Sequence, residues 1–273
     1  MFMAVSGMSQ SRWTTRDIPD NSGQTICISG ANSGLGLEAT RNLVGAGAHV
    51  IMACRNVEKA EAAAQSVRAG NGSVEVRQLD LASLASVRRF SEQLLSDGIE
   101  LDGLMNNAGL MALDQSRTED GFETQIGVNH LGHYALTGLL LPSLMKRPNS
   151  RIVNVSSMGH IPGKIHLDDL MCDRRRYSRW GAYFQSKLAN ILFTNELERR
   201  LRETSSTTIA LAAHPGTART ELGKTGTSAT NLVMRRLTPV LTRTGVQGCE
   251  SQVRAMVDPQ ATGREYYGPK FQM

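Results

Sequence analysis

Thr25-Ile26-Cys27-Ile28-Ser29-Gly30-Ala31-Asn32-Ser33-Gly34-Leu35-Gly36-Leu37-Glu38-Ala39-Thr40-Arg41-Asn42-Leu43-Val44 is the stretch from which the rest of the chain can be read. It opens as an apolar, β-rich run and closes with helical spacing, and Gly30, Gly34 and Gly36 stand between the two. Glycine lets the chain turn tightly, and it lets backbone N–H groups at a helix start approach an anion that the helix dipole favours. The spacing is GxxxGxG, not the common GxGxxG, and a glycine cluster alone is also compatible with a turn needed only for packing. A strand before, a helix after and a second apolar run about 20 residues further on favour a nucleotide-binding turn.

Working outward, apolar β-rich runs at 25–29, 49–53, 74–79, 101–106, 151–156 and 208–213 alternate with segments of helical spacing. That alternation predicts a parallel sheet with helices on both faces, joined by right-handed crossovers. A weaker run at 265–267 would bring a Rossmann-like, doubly wound α/β sheet to about seven strands. No linker, repeat or low-complexity tract divides residues 24–273, so a single domain is expected, preceded by an irregular leader at 1–23. Residues 216–245 read as a loop with one or two short helices.

The 273 residues, 40% apolar and 20% charged, exclude a disordered, collagen-like or disulfide-scaffold chain. Net charge is +5, but residues 1–137 carry 10 basic against 15 acidic side chains, and residues 138–273 carry 20 against 10. Arg174, Arg175, Arg176 and Arg179, together with Arg235, Arg236 and Arg243, supply much of the second excess. With Tyr177 and Trp180 nearby they suggest a nucleic-acid surface, yet a solvated face is the simpler reading, and no nucleic-acid partner is expected. Cys27, Cys54, Cys172 and Cys249 contain no CxxC pair and read as reduced, buried thiols of a cytoplasmic protein. No run of about 18 apolar residues occurs, so no membrane anchor is expected. Residues 139–145, interrupted by Pro142, read as part of a core helix.

Two positions suggest chemistry. The second strand ends in Ala53-Cys54-Arg55-Asn56, where an NAD-binding chain usually has an acid for the ribose hydroxyls. Arg55 would instead pair with a 2′-phosphate, which favours NADP(H). Further on, Tyr183 and Lys187 lie one helical turn apart. A free phenol has a pKa of about 10, and a nearby ammonium would lower it towards the range useful for proton transfer. His130 and His133 have a spacing compatible with a metal, but no third ligand stands out, and none is expected.

These motifs together resemble the short-chain dehydrogenase/reductase family, most of all its retinol dehydrogenase and WW-domain oxidoreductase branch. The resemblance rests on the glycine turn, Ala53-Cys54-Arg55-Asn56, Asp80-Leu81 and Asn106-Asn107-Ala108-Gly109. It continues through Val128-Asn129-His130-Leu131-Gly132-His133, Asn154-Val155-Ser156-Ser157, Tyr183 to Asn190, His214-Pro215-Gly216 and Glu265-Tyr266-Tyr267-Gly268-Pro269. It implies that Tyr183 is the proton donor in carbonyl reduction or the base in alcohol oxidation. Lys187 would lower the Tyr183 pKa and hold the nicotinamide ribose. Ser157 would bind the substrate oxygen, and Asn129 would complete a water-linked proton relay. For the cofactor it implies Gly30, Ser33, Gly34, Leu35 and Gly36 at the pyrophosphate, and Asp80 with Leu81 at the adenine. Asn107, Ala108 and Gly109 would line the cleft, with Pro215, Gly216 and Thr220 on the nicotinamide side.

The expected activity is therefore NADP(H)-dependent reduction of a hydrophobic ketone or aldehyde, or oxidation of the matching alcohol. Met158 to Pro162 and the apolar residues of 217–240 are the expected substrate walls. A non-catalytic NADP(H)-binding regulatory protein is the alternative, and a nucleotide-sugar epimerase is disfavoured by the glycine spacing. Membrane-bound retinol dehydrogenases carry an apolar anchor not found here, so a retinoid substrate is not carried over. The chain also stops soon after 265–267, where relatives generally continue, which would leave the pocket more open or the protein inactive. Helices at 122–146 and 181–202 resemble elements that pair subunits, so a homo-oligomer is possible.

Overall fold

In the computed structural model, which describes residues 13–68, 70–216 and 245–269, seven strands form one sheet in the order β3-β2-β1-β4-β5-β6-β7. The strands are β1 (Thr25–Ser29), β2 (His49–Cys54), β3 (Ser73–Gln78), β4 (Gly103–Asn106), β5 (Arg151–Val155), β6 (Ile209–Ala213) and β7 (Tyr266–Tyr267). Every neighbouring pair is parallel. The predicted α/β class and strand count are those observed, with ends displaced by one or two residues. At β4 the displacement has a local cause. Asp102 accepts the Thr25 N–H at 2.8 Å and pairs with Arg147 Nε at 2.8 Å, so the chain enters the sheet only at Gly103.

Alternation along each strand sends side chains to two separate cores. Ile26, Ile28, Val50 and Met52 pack under α1 (Gly34–Gly45) and α2 (Val57–Gln65), while Cys27, Ile51 and Ala53 face the opposite side. There they meet Val87, Phe90 and Leu94 of α3 (Leu84–Ser96) and Leu136, Leu140 and Leu144 of a later helix. Polar caps set the helix starts: the Asn56 side chain accepts from Lys59 N at 2.8 Å, and Ser178 accepts from Gly181 N at 3.2 Å. From the leader, Trp13 and Ile18 pack against the first core, and Asn21 N–H bonds the Ala46 carbonyl at 2.8 Å.

The continuous helix expected at 122–146 is divided. Glu123 caps a short α4 (Thr124–Ile126), a π turn spans Gly127–Leu131, and α5 covers Gly132–Leu144. Pro142 falls in the last turn of α5, so the one i→i−4 bond it removes, to the Gly138 carbonyl, lies close to where the helix stops. Arg179–Glu203 forms the long helix α6, and Gly245–Val257 forms α7. Among the described residues no helix is long and apolar enough to cross a membrane. The loop expected at 216–245 lies almost entirely outside the described residues.

Many arginines of the basic half pair within the chain. Arg179 bonds Asp114, Arg175 meets Asp169 at 3.6 Å, and Glu196 accepts from both Arg199 and Arg200. Arg174 bonds the Asp168 carbonyl. Arg235, Arg236 and Arg243 lie outside the described residues.

Candidate active site

β1 is flanked by β2 and β4, so successive connections leave the sheet on opposite sides and a crevice opens beyond the carboxyl ends of β1 and β4. The glycine turn fills its floor. Gly30 has φ +66°, and a Cβ there would stand 2.9 Å from the Ala108 Cβ. A Cβ on Gly36 would run into the Gly30 carbonyl oxygen and stand 2.6 Å from Asn107 Nδ2. Gly34, with φ +53°, faces open space instead. Ser33 occupies the N-cap of α1 without a side-chain cap bond, and Leu35 and Gly36 lie in its first turn. The helix start is therefore not satisfied by its own cap, and a space that a Cβ would enter lies beside it. Both features fit the pyrophosphate of a dinucleotide.

Asn107 ties this turn to β4. Its N–H and that of Ala108 each donate to Ser29 Oγ at 3.0 Å, and its Nδ2 donates to the Ser29 carbonyl at 2.8 Å. Gln252 of α7 donates to Asn107 Oδ1 at 3.0 Å. Arg55 is exposed at the end of β2 and makes no ion pair among the described residues. Asp80 Oδ1 accepts from the Ala82 N–H at 2.9 Å, and Leu81 is buried beside it.

Tyr183 and Lys187 face the crevice from α6, both buried, with Lys187 Nζ 5.7 Å from the Tyr183 ring centroid. Lys187 Nζ donates to the Val155 carbonyl at 3.1 Å, and burial lowers its pKa to about 8. The expected lowering of the Tyr183 pKa is not what this geometry gives: burial raises it, and a hydrogen bond with Ser157 opposes that rise. The ammonium lies over the ring, away from direct contact with the hydroxyl, so desolvation prevails. Ser157 Oγ also accepts the Gly159 N–H at 3.1 Å. Asn129 lies in the π turn, an irregularity frequent at functional sites. Its Oδ1 accepts the Leu110 N–H at 2.7 Å, and its Nδ2 donates to the Leu110 carbonyl and to Ser186 Oγ, each at 2.9 Å. A Cβ on Gly109 would stand 3.5 Å from both Asn129 Oδ1 and Lys187 Nζ. Asn129, Lys187 and the Asn107-Ala108-Gly109 segment thus meet in one place.

The model of the short chain dehydrogenase family matches residues 24–231. The chain belongs to the short-chain dehydrogenases. Over 221 residues this short-chain dehydrogenase is 47% identical to Retinol dehydrogenase 13 of Homo sapiens, covering 80% of the chain and 66% of the relative. Over 251 residues it is 46% identical to Retinol dehydrogenase 12 of Homo sapiens, covering 91% and 77%. The chain thus spans about two thirds to three quarters of the length of these relatives. A solved protein structure from Mycobacterium Paratuberculosis superimposes with a TM-score of 0.80 at 47% identity, covering 96% of this chain and 86% of that one.

In this short-chain dehydrogenase Thr220 lies outside the described residues, as does the whole of the expected wall at 217–240, while Pro215 and Gly216 come just after β6 and His214. Several side chains that hold the site stand in the quoted motifs without a role that the sequence assigns them. His133 is buried between the glycine turn and the π turn. Its Nδ1 must donate to the Asn129 carbonyl at 3.1 Å, so its Nε2 accepts the Ser29 hydroxyl proton at 2.8 Å. Burial lowers its pKa to about 3, so it is neutral at physiological pH. Below the site, Asn106 donates to Thr137 at 2.9 Å and to Asn154 at 2.8 Å, and Asn154 donates to Thr194 at 3.0 Å. The i,i+4 placement of Asn129 and His133 was the one available signal for the first of these links.

Proposed function

We propose that this chain is an NADP(H)-dependent oxidoreductase that reduces a ketone or aldehyde of a hydrophobic small molecule, or oxidises the matching alcohol. The observation that carries the reading is the convergence of Ser157, Tyr183 and Lys187 beside a glycine turn suited to a pyrophosphate. The nicotinamide, when bound, supplies or takes up the hydride. Gly30, Ser33, Gly34, Leu35 and Gly36 hold its pyrophosphate, Arg55 the 2′-phosphate, and Asp80 with Leu81 the adenine side. Asn107, Ala108, Gly109, Pro215, Gly216 and Thr220 hold the remainder, with Lys187 at the ribose. Ser157 donates a hydrogen bond to the substrate oxygen and Tyr183 transfers the proton to it; in oxidation Tyr183 takes that proton away. Lys187 keeps positive charge near the phenol, and Asn129 anchors the Leu110 backbone and Ser186 on the proton path. The names of the relatives make retinoids a substrate class to test, and the buried, reduced cysteines agree with a cytoplasmic setting.

Tyr183→Phe is expected to lower NADPH oxidation at least 100-fold on any carbonyl the protein turns over, with NADPH affinity unchanged. Retinal and other hydrophobic aldehydes and ketones form the panel. Residual turnover near the wild-type rate would end the assignment of Tyr183 as proton donor. Arg55→Ala is expected to raise KM for NADPH by roughly 10- to 100-fold, from a charge-assisted bond of about 1.5–3 kcal/mol, and to leave KM for NADH alone. An unchanged cofactor preference would rule out Arg55 as the phosphate reader.

A further inference from the structure

Ser157 is the N-cap of the 3-10 turn Met158–His160. The Gly159 N–H occupies an acceptor site on its Oγ, which leaves the hydroxyl proton to donate. The backbone closes this turn by itself, His160 N–H to the Ser157 carbonyl at 3.0 Å. His160 Nδ1 nevertheless donates to the same oxygen at 2.7 Å, a bond that the turn does not need in order to form. The imidazole is backed by the last strand of the sheet. Tyr266 Oη lies 3.3 Å from His160 Nδ1, and the two rings meet edge to face at 5.2 Å and 88°. His214 covers Tyr266 at 5.0 Å and 34°. The Tyr266 hydroxyl is also bonded to the Ser156 side chain, and Ser156 Oγ donates to the Lys187 carbonyl at 2.8 Å. On the other side the turn has no spare room: a Cβ on Gly159 would stand 2.8 Å from Phe184 Cδ1 and 3.3 Å from Tyr183 Cε1.

We propose that His160, backed by Tyr266, is a positioning residue that fixes the Ser157 hydroxyl against Tyr183. The proposal rests on the reading of Ser157 and Tyr183 as the catalytic pair. Side-chain restraint at the Ser157 carbonyl limits rocking of the turn, and the Oγ moves with it. Tyr266 carries that restraint across from β7, so strand, turn and catalytic helix hold one another in register.

The test is NMR of full-length protein carrying [13Cζ]-tyrosine, in which the Tyr183 signal is assigned by its loss in Tyr183→Phe. Ser157→Ala is expected to shift that signal, because the Ser157 hydrogen bond to the phenol is removed. His160→Leu is expected to shift it in the same direction, with no further shift when combined with Ser157→Ala. His160→Asn, which retains an N–H donor, returns the signal most of the way, and Tyr266→Phe gives a smaller shift of the same sign. A Tyr183 signal unmoved in His160→Leu, where Ser157→Ala does move it, overturns the role of His160 alone. A signal unmoved in Ser157→Ala removes the Ser157–Tyr183 pairing itself, and the catalytic reading with it.

Discussion

Burying an ammonium costs free energy, and Lys187 offsets that cost with a bond to the Val155 carbonyl, an oxygen that Asn190 Nδ2 also serves at 3.3 Å. The unfolded amine takes up its proton below pH 10.5, whereas the folded one does so only below about 8. The penalty is thus fully present below pH 8 and fades between 8 and 10.5. At about 1.4 kcal/mol per pKa unit it comes to roughly 3 kcal/mol. Lys187→Met is therefore expected to stabilise the fold by about 1–3 kcal/mol at pH 7 and not at pH 11, measured by urea unfolding. A less stable variant at pH 7 would mean that the ammonium has compensating contacts. Spacing along one helix makes the Tyr183 and Lys187 neighbourhood legible in the sequence. The direction of the Tyr183 shift is not, because it depends on how completely α6, the Ser157 turn and β7 shield the phenol from water.

Glycines of one turn serve different ends, and substitution separates them. Gly36→Ala meets the Gly30 carbonyl and Asn107, so α1 must move away from β4. Loss of both stability and cofactor binding is expected. Gly34→Ala meets nothing and carries only the strain of its positive φ, about 1–2 kcal/mol. Its methyl enters the space assigned to the pyrophosphate, so NADPH affinity is expected to fall at least tenfold in a fluorescence titration while the melting temperature falls only slightly. Equal losses of stability in the two variants would contradict this division. The motif announces the turn, but which glycine faces the ligand depends on Asn107, from a distant strand. The π turn was equally hidden: residues 122–146 read as one apolar helix, and nothing in their period marks the widening that turns the Asn129 carbonyl to His133.

Across the whole molecule, class, strand count and site location follow from local pattern, because each strand ends in a motif that projects beyond the sheet. The polar links beneath the site join residues dozens of positions apart, such as Asn106 with Asn154, and no local period encodes them. Two buried imidazoles make the fold acid-sensitive. His133 and His214 have folded pKa values near 3 and near 4, against 6.5 when unfolded, because burial disfavours their charged forms. The stability tied to them is complete above pH 6.5 and declines as pH falls towards those values. At pH 5 each is expected to cost about 2 kcal/mol relative to pH 7 or above. His133→Asn should be less stable at pH 7, with a smaller fall between pH 7 and pH 5; an unchanged fall would refute the assignment.

The four thiols are all buried and unbridged. Burial raises Cys27 and Cys249 to about 12 and Cys54, which sits against the Ala31 and Asn32 N–H groups of the glycine turn, to about 11. An alkylating reagent therefore finds neither a path nor a thiolate while the native structure persists. Modification at each position becomes a clock for the breathing of its own neighbourhood: central strand, nucleotide turn, the irregular stretch before α6 that carries Cys172, and α7. Four independent opening rates are written into one unmodified chain.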